Sequence, residues 1–467
     1  MKSLPLFSQV LLTCFFQTMH VTSSSENLHA ATQPNVIIIF ADDLGYGDLG
    51  CFGHPTIRTP ELDRMAREGM KLTQFYSAAP VCTPSRAALM TGRLPARNGM
   101  CSNKRRVLFP TSKGGLPASE MTLAERLQDQ GYATACIGKW HLGHRDQYLP
   151  TQHGFDSYFG IPYSNDMDRN PDSPKGRAAF LKPLFQYWNV PLMRDQNIVE
   201  QPADQRTITK RYTEEAINFI HSNSSQPFFL YLPHSLPHVP LFRSSSFVGR
   251  SPRGLYGDVI EEIDWSVGQI LETLRQTGIS EKTLVFFTSD NGPWLIFNEQ
   301  GGSAGLLRGG KGSTWEGGMR EPTLAWWPKT IPPNSVATDI CSTMDIYATV
   351  HHAADISLPQ DRILDSYDMM PILTGRGASM RKLLFYYRGY NLMAVRKGQW
   401  KMHLMTQESY GQPAPVKHDP PLLFNLDHDP SEKYNLGESR SEIIATIMKS
   451  VAAHKATLNP AVSELEK

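Results

Sequence analysis

The sequence predicts an α/β domain on a large, mostly parallel sheet, followed by a smaller α+β unit. Three observations predict it. From Asn35 onward, short apolar runs alternate with segments of helical periodicity. The runs are continuous rather than alternating, as in strands buried on both faces. Each of four runs also ends just before charged or ligating residues, where open α/β sheets bind their ligands.

The strand candidates are Val36–Phe40 (VIIIF), Ala133–Ile137, Phe228–Leu232 (FFLYL) and Leu284–Thr288 (LVFFT). β-Branched and aromatic residues fill them, as a pleated, packed surface prefers. Helices are expected over Glu61–Glu68, Thr122–Gln130, Ile208–Ile220 and Val259–Gln276. In the last of these, Ile260, Ile263, Val267, Ile270, Leu271 and Leu274 recur at helical spacing and Gly278 supplies a stop. Tyr163–Gln205 is polar, Pro-rich and without periodicity, and reads as a long surface loop. Beyond Asp365 the pattern changes to short strands at Leu383–Tyr387, Met393–Arg396 and Gln399–Met405, with a hairpin turn at Lys397-Gly398. A loop, PPLLFNLDHDPSEKYNL, and a helix over Glu442–Ala456 complete the smaller unit.

Composition narrows the function. With 40% hydrophobic and 19% charged residues in 467, the chain can bury a substantial core. A net charge of +1 gives no electrostatic reason to expect nucleic acid or an anionic membrane as partner. Lys2, the apolar run Leu4–Phe16 and the polar Thr22–Glu26 read as a signal peptide and leader over residues 1–30, and no other run is long enough to span a membrane. Export permits lysosomal, extracellular or periplasmic residence. Of the six cysteines, Cys14 falls in the leader, so five remain and at least one stays unpaired. The sequon Asn223-Ser224-Ser225 would accept a glycan in a eukaryotic host.

The residues that follow the four strands form a chemical set. Asp42-Asp43 follow the first, Lys139 and His141 the second, His234 and His238 the third, and Asp290-Asn291 the fourth. Either acidic pair alone is equally a turn sequence, but two at equivalent strand ends point to a metal. Oxygen-only donors suit a hard divalent cation, calcium ahead of magnesium, and argue against structural zinc. Arg86, Lys139 and Lys311 lie in small-residue, turn-rich contexts (PSRAA, IGKWH, RGGKGSTWEGG), where a cation beside backbone donors can hold an oxyanion. A histidine beside such a site is suited to proton transfer.

One stretch names a family. Cys82-Thr83-Pro84-Ser85-Arg86, continuing AALMTGR, resembles the signature of the formylglycine-dependent (type I) sulfatases, in which the cysteine is oxidised to Cα-formylglycine. GYATACIGKWH (131–141) resembles their second signature. FADDLGYGDLGCFGHP, GIPYS, SDNGP, GLLRGGKGSTWEGGMREP and PPLLFNLDHDPSEKYNL extend the likeness along nearly the whole chain. It is strongest to the arylsulfatase A branch and then to the N-acetylgalactosamine-6-sulfatase branch.

The resemblance implies an alkaline-phosphatase-like sulfatase fold, with a catalytic domain over 31–375 and a C-terminal subdomain of small antiparallel sheet and helix over 376–467. It implies hydrolysis of sulfate monoesters, with sulfated galactose or N-acetylgalactosamine of a glycolipid or glycosaminoglycan as substrate. One calcium ion per subunit would be bound by Asp42, Asp43, Asp290, Asn291 and formylglycine 82. Arg86 would hold the hydrated aldehyde, Lys139, Lys311 and Ser164 the sulfate. His238 would protonate the leaving alcohol, His141 would assist sulfate release, and Asp290 would help activate the nucleophile. His234 is the less secure alternative to His238. A formylglycine-generating enzyme would act during maturation, and a homo-oligomer is allowed. The chain departs from the arylsulfatase A pattern in lacking its cysteine-rich segments and in having Gly309 where a cysteine stands, which bears on disulfides, oligomeric behaviour and substrate. Rival readings are a phosphonate monoester hydrolase or phosphodiesterase of the same superfamily, and an inactive binding protein on the same fold.

Overall fold

The computed structural model describes residues 1, 33–409 and 414–467. The expected leader, with Cys14, lies outside the described residues except for Met1. Residues 33–467 form one compact unit.

Eleven strands build the main sheet: β1 (Asn35–Ala41), β2 (Met70–Tyr76), β3 (Ala133–Ile137), β4 (Ser157–Gly160), β5 (Leu192–Arg194), β6 (Asn197–Glu200), β7 (Phe228–Pro233), β8 (Thr283–Ser289), β9 (Arg320–Trp326), β10 (Ser335–Ala337) and β11 (Cys341–Ser342). Their spatial order is β10-β2-β9-β8-β1-β7-β3-β4-β5-β6, with β11 also beside β2. The central strands β8-β1-β7-β3-β4 are parallel. Antiparallel pairs join β9 to β8 and β2 on one side, and β4, β5 and β6 on the other. The sheet is therefore mixed, with a parallel centre and a second parallel patch where β10 and β11 pair with β2.

β1 shows why its sequence is an unbroken apolar run. Ile37, Ile39 and Ala41 face one core and Val36, Ile38 and Phe40 the other, because successive side chains point to opposite faces. All seven residues of β1 are buried, and each of the larger ones contributes about 1.5–3 kcal/mol. Helices Pro60–Glu68, Ile208–Asn223 and Leu255–Gln276 cover the first face. Helices Cys82–Thr91, Leu123–Gln128 and Asp345–Ala353 cover the second.

A second, antiparallel sheet of β12 (Leu383–Arg388), β13 (Asn391–Lys397), β14 (Trp400–Thr406) and β15 (Val416–Asn425) packs with helix Ser441–Thr457. Their apolar cluster also takes in Ala88 and Leu94, so this sheet rests on the outer side of helix Cys82–Thr91.

Two expectations change. PPLLFN is not loop but the end of β15, zipped to β14 along Trp400–His403; two prolines had hidden an outer strand, where missing N–H groups are tolerated. Tyr163–Gln205 is not a plain surface loop: it carries the β5–β6 hairpin at the sheet edge, and Ala179, Trp188, Val190 and Leu192 are buried in the main core. Cys82 is the first residue of its helix, with Val81 as cap.

Candidate active site

Neighbouring parallel strands deliver the site. β8, β1, β7 and β3 lie side by side, and their carboxyl ends lead into Asp290-Asn291, Asp42-Asp43, His238 and Lys139-His141. Helix Cys82–Thr91 starts at the same end. No side chain caps its first turn, so its N-terminal dipole acts at position 82 and favours negative charge there. At the end of β3, a side chain on Gly138 would strike the Pro233 carbonyl at 1.9 Å. Glycine lets Lys139 N bond that carbonyl at 2.7 Å.

Apart from His234, the catalytic, substrate-binding and metal-ligating residues named from sequence come together, each at most 6% exposed. One ligand atom each from Asp42, Asp43, Cys82 and His238 lies within 4.8 Å of the others. Cys82 Sγ is 3.4 Å from Asp42 Oδ1 and 3.5 Å from Lys311 Nζ. Lys311 Nζ donates to Asp43 at 2.7 and 2.8 Å. Lys139 Nζ donates to Asp42 and, at 3.1 Å, to Ser164 Oγ. Ser164 Oγ is 3.5 Å from His238 Nε2, which is 3.6 Å from Asp43 Oδ2. Arg86 donates to Asp290 Oδ2 and to the Lys139 carbonyl. His234 stands apart: it is buried, its Nε2 is 3.5 Å from Ser266 Oγ on helix Leu255–Gln276, and its ring neighbours Tyr212.

The oxygen donors fit a hard cation. Asn291 gives its amide N–H to Asp43 at 2.7 Å, leaving its buried Oδ1 without a partner. Asp43 takes a left-handed backbone, φ 65°, which asparagine and aspartate tolerate best. Burial, with Asp42 and Asp290 adding to it, raises the Asp43 carboxyl to about 7 despite Lys311. Burial also opposes ionisation of Asp42, but Lys139, His238, Arg86 and Lys311 together hold it well below the usual carboxylate range.

Two histidines have readable tautomers. His141 Nε2 lies 2.9 Å from the Leu108 carbonyl, which can only accept, so Nε2 carries the hydrogen. Its Nδ1 is then a free lone pair, buried and without a partner. His238 Nδ1 donates to the Val239 carbonyl at 2.5 Å, leaving Nε2 for the cavity. Burial, reinforced by Lys139 at His141 and Lys311 at His238, drives both rings toward the neutral form. The Cys82 thiol is pushed well up by burial, despite Lys139 and Lys311. A protonated thiol is a weak nucleophile.

A cavity of about 170 Å³ opens onto Cys82, His141, Ser164, His238 and Lys311. Its rim takes Asp166 and Met167, beside Ser164, from the Tyr163–Gln205 segment, together with His238 and Trp294. Asp166 and a wall of Arg106, Val107 and Phe109 were not foreseen. Asp166 follows Ser164 by two residues, a spacing that could have suggested it; the wall carries no local signal.

The Lys311 loop is anchored from the second sheet. Glu316 accepts from Tyr76 at 2.6 Å, Lys401 at 2.9 Å and Tyr386 at 3.0 Å. Glu432 accepts from Glu316 N and from His403, both at 2.7 Å, and pairs with Lys401 at 3.0 Å. The described cysteines Cys51, Cys82, Cys101, Cys136 and Cys341 are all unpaired. Asn223 donates its side-chain amide to Phe219 O at 2.8 Å, at the end of its helix.

Known proteins share this design. A family model described as "Sulfatase" matches residues 34–356, and one described as "C-terminal region of aryl-sulfatase" matches 379–467. The chain is 42% identical to arylsulfatase A of Bos taurus, over 91% of this chain and 87% of that one. It is 40% identical to N-acetylgalactosamine-6-sulfatase of Canis lupus familiaris, over 93% and 88%. The solved structure of Ps i-CgsB in complex with k-i-k-neocarrahexaose superposes with a TM-score of 0.78 at 30% identity, over 91% of this chain and 94% of that one. With both family models matched in order and such relatives along nearly its whole length, the chain belongs to the sulfatase family, the hydrolases of sulfate esters.

Proposed function

We propose that the protein is a formylglycine- and calcium-dependent arylsulfatase-type enzyme whose substrate is a sulfated galactose or N-acetylgalactosamine. The observation that carries the reading is the convergence of Asp42, Asp43, Cys82 and His238 within 4.8 Å at the first turn of a helix. Asp42, Asp43, Asp290 and Asn291 would hold the calcium ion, magnesium being the alternative, which would offset negative charge on the sulfate oxygens. The Cys82 sulfur stands where the formylglycine oxygens would be; that hydrated aldehyde would supply one hydroxyl to attack sulfur and a second to release sulfate by C–O cleavage.

The remaining steps belong to the chain's own side chains. Lys139, Lys311 and Ser164 bind sulfate oxygens, and as preorganised donors in a buried site they stabilise charge at little reorganisation cost. Arg86 fixes Asp290 and the position of the diol. His238 keeps its Nδ1–H on Val239; with the negative charge of the bound sulfate ester favouring a second proton at Nε2, the resulting imidazolium delivers that proton to the leaving alcohol and returns to the neutral form. His141, with Nδ1 unprotonated, takes the proton of the second hydroxyl. The domain division at residues 375/376 belongs to the same reading: 31–375 carries the chemistry, and 376–467 secures the Lys311 loop through Glu432 and Lys401. No described helix is long and apolar enough to cross a membrane, and a secretory destination, lysosomal, extracellular or periplasmic, goes with the proposal.

The test is the mass of the proteolytic peptide containing position 82, from protein co-expressed with a formylglycine-generating enzyme. It is paired with turnover of an aryl sulfate, an aryl phosphonate, sulfated sugars and a steroid sulfate. An aldehyde with sugar-sulfate turnover supports the reading. An unmodified thiol in active protein, or preference for the phosphonate, rejects it.

A further inference from the structure

The catalytic cavity, at about 170 Å³, is small beside pockets of roughly 300–1,000 Å³ that enclose whole drug-sized ligands. It has room for a sulfated ring and little else, so the rest of a larger substrate must lie outside. A second cavity of about 280 Å³ adjoins it, and the two share Val81 and Arg106 as lining residues.

That groove has a one-sided charge. Lys104, Arg105, Arg106 and Arg388 line it, and among the described lining residues there is no aspartate or glutamate. Glu466, from outside the lining, pairs with Lys104 at 3.1 Å, and Arg105 reaches Ser112 Oγ at 3.5 Å. The two cationic walls come from distant parts of the chain and are packed in fixed register. Arg388 ends β12, and in the turn that follows Tyr390 N donates to Asn103 Oδ1 at 2.9 Å, next to Lys104. Gly389, at φ 59°, sits so close that a side chain on it would meet Asn103 Oδ1 at 2.4 Å and Ser102 O at 2.6 Å. Clustered cations against low-dielectric walls concentrate anionic ligands.

We infer that this groove is a binding site for the continuation of an anionic glycan chain, bearing carboxylate or sulfate groups, whose terminal sulfated ring occupies the catalytic cavity. The inference rests on the sulfatase reading and selects, among its substrates, polyanionic oligosaccharides over glycolipids. A neutral lipid tail would gain nothing from the arginines.

The experiment compares the full-length enzyme with its R105Q/R388Q and R105K/R388K variants. Binding of a fluorescein-labelled chondroitin 6-sulfate hexasaccharide is read by anisotropy at low and high salt. Its affinity is compared with that of N-acetylgalactosamine 6-sulfate, and turnover of 4-methylumbelliferyl sulfate serves as the reference for the cavity alone. The hexasaccharide is expected to bind the wild type at least about tenfold more tightly than the monosaccharide, with that advantage lost at high salt. R105Q/R388Q should remove most of the advantage, and R105K/R388K should retain it. Equal binding of the hexasaccharide by wild type and R105Q/R388Q, or no advantage over the monosaccharide, overturns the inference. Lack of 4-methylumbelliferyl sulfate turnover by wild-type protein would instead count against the sulfatase reading, while the anisotropy still reports on the groove.

Discussion

Arg86 grips Asp290 from the facing helix: its Nε is 2.9 Å and its Nη2 2.8 Å from the same Oδ2, and both side chains are fully buried. Such a pair is costly to break on one side only, because the remaining charge has neither water nor partner. Arg86→Gln is therefore expected to destabilise the fold by about 3–5 kcal/mol as well as to abolish turnover. Denaturant unfolding of the folded variant measures the first effect; a loss below about 1 kcal/mol would contradict the buried pairing.

Cation binding should be visible without turnover. A ligand at about 100 times its Kd stabilises a protein by about 2.7 kcal/mol. Calcium is expected to raise the melting temperature of wild-type protein, and Asp42→Asn or Asn291→Leu should shrink the rise. A calcium response that survives both substitutions would place the ion elsewhere.

His238 and His141 should separate by leaving group. If His238 protonates the departing alcohol, His238→Ala should lower kcat by about 10²–10⁴ for a sugar sulfate. The loss should be much smaller for 4-nitrophenyl sulfate, whose leaving group needs little help. His141→Ala, which removes the base acting on the second hydroxyl, should slow both substrates and accumulate sulfated enzyme detectable by mass spectrometry. Equal losses on both substrates for His238→Ala would remove it from the acid role.

Asp48 gives the protein a pH-dependent stability. Burial raises its carboxyl to about 7, against an unperturbed 3.8, although Tyr256, Ser303 N and Gly45 N all donate to its Oδ2. The folded state thus keeps a proton that the unfolded chain has already released. This stabilisation is complete below 3.8 and is lost as pH rises toward 7. Asp48→Asn keeps one acceptor oxygen for those three donors, so its melting temperature should fall less than that of the wild type between pH 5 and pH 7.5. Parallel melting curves for the two proteins would show that Asp48 is ionised throughout.

Glu432 tests the link between the second sheet and the catalytic loop. Glu432→Gln leaves Lys401 with only Glu316 for charge compensation, and stability should fall by about 3 kcal/mol. Through the Glu316 backbone, kcat/KM for an aryl sulfate should also fall. Unchanged kinetics in a destabilised variant would make the network structural only.

The strand ends explain why so much of the site could be read from sequence. Parallel strands buried on both faces must be continuously apolar, so VIIIF, FFLYL and LVFFT marked themselves, as did the polar residues just beyond them. Sequence by itself thus determined the central strands, most of the long helices, the family and the list of side chains at the site. Tertiary structure decided what depends on contacts between distant segments: β15 behind its prolines, the hairpin within 163–205, and the placing of His238 in the Asp42–Asp43–Cys82 cluster while His234 packs against Ser266. It also decided the joining of Arg105 and Arg388 in one groove, and the clamp from Glu432 to the Lys311 loop. Periodicity and turn chemistry are local signals, whereas these pairings are fixed only when the sheets pack and bring residues hundreds of positions apart within hydrogen-bonding distance.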